Sequence, residues 1–210
     1  VMDTYIAKIN MIVGTDAYAY VRGNQYAIVY KKAEFAVNSS LYSGTQSFTY
    51  TPLTAYLKST QGNFDFSMIV IHTSPSVASS EIPQLKTAMA EVSTLYSEPD
   101  VICLGDFNAD GSYYTEGTGT DLSGFTSPSY ITVIPNTADT TVAASSNTYD
   151  RIQLSSSMDS DYASVYGVIQ MGLNYDLSSC EGTVTTAGTE SALSDHYPVY
   201  GEFYVDKDTD

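Results

Sequence analysis

ICLGDFNAD, residues Ile102 to Asp110, runs from an apolar segment into Gly105, then places an acid at Asp106 and an amide at Asn108. Residues two apart on a strand face the same side, so these two polar groups can aim together at one ligand just past a sheet edge. A carboxylate beside a neutral amide suits a metal-bound or proton-exchanging phosphate. A turn built of Asp, Asn and Gly gives the same letters, so the stretch alone leaves both readings open.

Upstream, Phe64 to His72 is a second nearly continuous apolar run. It and Val101 to Gly105 read as central strands buried on both faces, and Gln25 to Val37 also has strand composition. Between the central pair, Ser80 is the expected helix cap, with Glu81 and Pro83 in the first turn and Pro99 past the end. Ile82, Leu85, Met89, Val92 and Leu95 mark its buried face. Short strands are expected near Ile131, over Arg151 to Leu154, over Ser164 to Gln170 and over Pro198 to Val205. At the chain start, Val1, Tyr5, Ile6 and Ile9 follow helical spacing without a cap and read as the back half of a helix. Strands with a few packed helices make a layered α/β sandwich, and 210 residues with no repeat or linker suit one domain.

Eight Lys and Arg stand against twenty-four Asp and Glu, a formal charge of -16. Such a chain repels a polyanion unless cations intervene, which excludes tight, metal-free nucleic-acid binding. No apolar run reaches membrane-spanning length, so no membrane partner is expected. Nineteen Tyr, no Trp and few Lys give a hydroxyl-rich surface of extracellular type, and Asn38-Ser39-Ser40 is a glycosylation sequon that fits secretion. Cys103 reads as a buried free thiol rather than as the partner of Cys180.

Four polar clusters sit at strand ends: His72 in IVIHTSP, Asp106 and Asn108, Asp150 in TYDRI, and Asp195 with His196 in SDHYPV. Both histidines of the chain fall beside carboxylates that can orient them. Phosphodiester hydrolysis needs a base for water, an acid for the leaving oxygen and positive groups for the phosphoryl charge, all of which this set can supply. GDFNADGSYY, IPNTADTT, YDRI and SDHYPV, in this order and spacing, resemble the DNase I branch of the endonuclease/exonuclease/phosphatase superfamily, over nearly the whole span from Ile12 to Val205.

The resemblance implies a four-layered sandwich, two packed β-sheets flanked by helices, with a cation-dependent phosphodiesterase site at one edge. His72 and His196 would be the catalytic pair, Asp150 would orient His72, and Asp195 would bind a cation. Asp106 and Asn108 would contact the cation-bound or scissile phosphate. Asp139 with Thr141 resembles a structural calcium loop, so Mg2+ and Ca2+ are the implied cofactors and DNA the implied partner.

Departures from the family pattern are equally specific. Asn24 stands where a glutamate would hold a catalytic histidine, and an amide cannot stabilise imidazolium as a carboxylate does. Gly23 and Tyr50 replace basic phosphate contacts, and Gly111 and Asn147 replace a bridged cysteine pair. The family opens with a strand, a helix and a second strand, and this chain starts after them. A complementing N-terminal segment or a neighbouring copy is therefore expected to cover the exposed strand edges. Two readings follow: a secreted cation-dependent endodeoxyribonuclease of weakened or lost activity, or a self-assembling, filament-forming extracellular protein on a degenerate nuclease fold.

Overall fold

The computed structural model describes residues 1–174 and 194–209. In chain order come α1 (Met2–Val13), β1 (Tyr18–Arg22), β2 (Ala27–Lys31), β3 (Phe35–Leu41), β4 (Leu53–Ser59), β5 (Asp65–His72) and α2 (Ala78–Tyr96). There follow β6 (Val101–Asp106), β7 (Tyr130–Thr132), β8 (Asp150–Ser155), β9 (Tyr162–Val168), the single turn α3 (Met171–Asn174) and β10 (Val199–Phe203).

Six strands form one mixed sheet in the order β3-β4-β5-β6-β8-β7, with β1-β2 and β10-β9 as separate antiparallel pairs. β5 and β6 run parallel, which requires a crossover, and α2 supplies it. Ile82, Leu85, Met89 and Val92 lie along one face of α2 and pack on Ile69, Ile71, Val101 and Cys103. Leu85 is fully buried, and Leu85→Ala would cost about 2–5 kcal/mol. Alternate strand residues turn the other way, so Phe66, Ile102 and Leu154 build the second core with Ile28 of β2 and Phe203 of β10. Both antiparallel pairs therefore cover this second face. Between the β9-β10 pair and the sheet runs an apolar groove of about 390 Å³, bordered by Phe35, Phe66, Met68, Leu104 and Phe203.

Several expectations are corrected. Gln25 to Val37 is not one strand: the chain turns at residues 32–34, and β2 and β3 lie in different sheets. Helix α2 begins before Ser80, whose hydroxyl donates to the Val77 carbonyl at 2.9 Å rather than capping the helix. Leu95 is exposed at the far end of that helix, where its turn has passed the sheet. In α1 only Ile6 is buried. Cys103 is a buried free thiol whose pKa burial pushes up, and Cys180 lies outside the described residues. Asn38 is exposed on the edge strand β3, accessible to a modifying enzyme. Gly111 and Asn147 are neighbours, since a Cβ on Gly111 would lie 3.2 Å from Asn147 Oδ1. Among the described residues no helix is long and apolar enough to cross a membrane.

Candidate active site

Strand register delivers three site residues side by side. β5 sets His72 opposite Asp106, and β6 sets Asp106 opposite Asp150. The close approach of β5 and β6 requires Gly105, which adopts φ 138° and where a Cβ would lie 1.8 Å from the Ile71 carbonyl oxygen. Beyond the strand end the chain bends back through Asn108 at φ 48°. Its backbone N–H donates to Asp106 Oδ1 at 2.8 Å, and its amide Nδ2 donates to the Thr73 carbonyl at 2.8 Å. Asn108 thereby ties the loop after His72 to the loop after Asp106. The turn reading of this stretch describes it.

His196 comes from outside the sheet. Tyr197 N–H donates to the Thr140 carbonyl at 2.8 Å and Val142 N–H to the Asp195 carbonyl at 2.9 Å, so the segment before β10 docks on the loop after β7. Asp139 closes that loop: its Oδ1 accepts the Thr141 N–H at 3.2 Å, the Thr141 hydroxyl at 3.3 Å and the Asn147 N–H at 3.4 Å. One oxygen engaged by three donors serves the loop itself.

Asp150 Oδ2 lies 2.7 Å from His196 Nδ1. Asp106 Oδ2 lies 3.3 Å from His72 Nε2 and 3.9 Å from His196 Nε2. The expected pairing of Asp150 with His72 is thus replaced by a pairing with His196. The reason is topological: β6 stands between β5 and β8, so Asp106 separates Asp150 from His72. The hydrogen bond from Asp150 pushes His196 up to about 9, with the charges of Asp150, Asp106 and Asp195 adding and burial opposing. That pairing stabilises the fold at neutral pH, and its contribution is lost as pH rises through about 9. Burial pushes the Asp106 carboxyl upward and Asp150's charge adds to it, against the Asn108 N–H and the two histidines.

Asp195 is exposed beside His196, and Asn24 is exposed in the β1-β2 turn. Among the described residues Asn24 hydrogen-bonds neither histidine, and no group of three or more His, Cys, Asp or Glu forms a ready metal cage. A magnesium ion needs only one or two carboxylates when phosphate and water complete its shell. Asp106, Asp150 and Asp195 bring three negative charges against two imidazoles, a donor set that fits such an ion.

Other residues hold the site without having been singled out. Tyr26 Oη accepts the His72 N–H at 3.0 Å. Glu81, buried in the first turn of α2, accepts the Thr49 N–H at 2.5 Å and the Ser74 N–H at 2.8 Å, joining the loops that carry Tyr50 and His72. An acid in a first helical turn was the visible signal, but only tertiary structure shows what it receives. Arg151 of the YDRI motif is wholly buried, and its guanidinium donates to the Ala109 and Ile134 carbonyls, Asn136 and Glu116. Burial pulls it down to about 10, still charged at neutral pH, and it props the loop after Asn108.

No family model matches the chain. It is 29% identical over 183 residues to deoxyribonuclease-1 of Oryctolagus cuniculus, covering 83% of this chain and 63% of that protein. Against deoxyribonuclease-1 of Ovis aries it is 31% identical over 157 residues, covering 74% and 58%. The chain thus spans less than two thirds of the length of these curated relatives. A solved structure of D. rerio TDP2 complexed with single strand DNA product superposes with a TM-score of 0.60 at 17% identity, covering 96% of this chain and 82% of that one. The mannosyl-6-phosphatase of Bacteroides thetaiotaomicron gives 0.55 at 15% identity, covering 93% and 80%. The fold is the α/β sandwich that these endonuclease/exonuclease/phosphatase structures share. In sequence the chain is DNase I-like.

Proposed function

We propose that the chain is a divalent-cation-dependent phosphodiesterase acting on nucleic acid outside the cell, with turnover below that of a DNase whose two histidines both have carboxylate partners on Nδ1. The observation that carries this reading is the array His72, Asp106, His196, Asp150, with Asp106 within 4 Å of both imidazoles. His196, oriented and charged by Asp150, faces the phosphoryl or leaving oxygen. His72 takes the proton of the attacking water. Asn108 holds the two loops in register. Asp106 and Asp195 would hold a cation such as Mg2+, which supplies charge neutralisation at the phosphoryl group. Reduced turnover follows from Asn24, which leaves His72 positioned, among the described residues, by Tyr26, Tyr50 and Asp106.

A plasmid-nicking assay with Mg2+ and Ca2+ tests this. Slow nicking that stops with chelator and in His196→Ala supports it. Chelator-insensitive cleavage, or equal cleavage by His196→Ala, overturns it.

A second reading, assembly of copies into filaments, is favoured by the apolar groove beside β10, whose pair has two strands among the described residues. A neighbouring copy that inserts an extended segment there makes a head-to-tail contact that need not close. Light scattering that shows only monomer at every concentration, and no change on Met68→Glu, sinks it.

A further inference from the structure

We propose that the site takes single-stranded rather than duplex nucleic acid, engaging it by stacking on a row of tyrosines instead of by clamping phosphates. This rests on the phosphodiesterase reading above and names its substrate class. Tyr50 lies against His72 with ring centroids 5.5 Å apart, and Tyr149 against His196 at 6.0 Å. Tyr113 extends the row from Tyr149 at 5.6 Å and is 38% exposed. Since both imidazoles meet at Asp106 Oδ2, five rings form one band through the reacting centre. Tyr50 and Tyr149 are partly buried, so the band is held in place and open at the Tyr113 end.

Among the described residues Lys31, Lys32 and Lys58 are paired with Glu34, Asp16 and Asp65, Lys207 lies over the Tyr204 ring, Arg151 is wholly buried, and no Lys or Arg forms an ion pair with Asp106 or Asp150. Duplex affinity comes chiefly from neutralising backbone phosphates. A chain of net charge -16 whose site carboxylates pair, among the described residues, with imidazoles and with no Lys or Arg is poorly supplied with that source. Single strands offer what the site has partners for, because unpaired bases expose π-faces that stack on aromatic side chains. In a duplex those faces are hidden.

The test uses Asp150→Asn protein, which retains both histidines and all three tyrosines, with Mg2+ and end-labelled oligonucleotides of one sequence, single-stranded and duplex. Fluorescence anisotropy should show single strands bound at least about tenfold more tightly, with a salt slope well below that of a multi-phosphate clamp. Tyr113→Ala in the same background should weaken single-strand binding roughly fivefold or more, and Tyr113→Phe should restore it. Equal or tighter duplex binding, no binding to either form, or a Tyr113→Phe variant as weak as Tyr113→Ala overturns the proposal. Single-strand binding without hydrolysis by the unmutated protein would instead refute the phosphodiesterase reading and leave the stacking row standing.

Discussion

Strand β6 carries a carboxylate at each end, and the two are handled in opposite ways. Asp106, at its last residue, lies between two imidazoles. Asp100, just before its first, is 2% exposed, and among the described residues no salt bridge reaches it. Burial pushes it up to about 6, with a hydrogen bond to Asp161 and the charges of Asp161 and Asp208 adding and Ser157 opposing. At one end the sheet offsets a desolvated charge by supplying positive partners; at the other, burial and neighbouring acids push the carboxyl up to about 6, so that at neutral pH the charge is carried at a cost. The first arrangement keeps its charge without that penalty, and phosphoryl chemistry needs charges that persist at neutral pH. Charge compensation, rather than burial of acids, therefore separates the working end of the strand from the structural end.

The sharpest way to break this comparison is Asp150→Asn. The amide keeps its size and place in β8 but can no longer hold His196 charged. Activity should fall by about 10³- to 10⁴-fold, as when a buried carboxylate partner of a catalytic histidine is lost. Rates of plasmid nicking by the two proteins check this. A loss under tenfold would mean that the Asp150 pairing is structural, like that at Asp100.

Glu81→Ala probes how firmly the active end is built. It leaves the Thr49 and Ser74 N–H groups without their acceptor, at a cost of about 3 kcal/mol. The denaturant midpoint should drop accordingly. Unchanged stability would show that the two loops are held by Tyr26 and Asn108 without it.

At the structural end the expected effect is smaller and depends on pH. A carboxyl raised from 3.8 to about 6 on folding is neutral below the lower value, and its contribution worsens as pH rises between the two. The penalty levels off above pH 6 at up to about 3 kcal/mol. Asp100→Asn keeps a donor toward Asp161 and removes the charge. It should therefore stabilise the fold by about 1–3 kcal/mol at pH 7.5 and by nothing below pH 4. Denaturant midpoints at the two pH values decide it, and a variant less stable at pH 7.5 would mean that Asp100 has a cationic partner.

What the sequence made legible follows the range of the forces involved. The two apolar runs of β5 and β6 and the 3.6-residue stripe of α2 are local signals, and all three elements lie where the pattern puts them. β4 was not legible because Thr54, Tyr56 and Lys58 interrupt its apolar residues, and the buried Thr54 hydroxyl is satisfied by the Ser40 carbonyl at 3.0 Å and by the Ser40 and Tyr96 hydroxyls at 3.1 Å. The break between β2 and β3 falls at Lys32-Ala33-Glu34, which holds no Gly, Pro or Asn to announce a turn. Within the site, strand-end position identified the histidines and aspartates. Which aspartate holds which histidine depends on the β6-β8 register and on the docking of residues 195–197 against Thr140–Val142, pairings with no local mark.

Asn24→Glu is the mildest change and the most informative about that limit. If identity alone were missing, restoring the acid that the family pattern carries there would restore rate. Position 24, however, is exposed in the β1-β2 turn, while His72 Nε2 already faces Asp106. A solvated carboxylate pairs with an imidazole at a gain of only about 0–1 kcal/mol, so the rate should rise no more than about fivefold. Asp150 acts from a side chain only 16% exposed, where the same charge has far less water to screen it. A hundredfold gain in Asn24→Glu would mean that the turn closes over His72 when it carries a charge. The contrast that governs the site would then be carboxylate identity, and the depth at which each residue sits would be secondary.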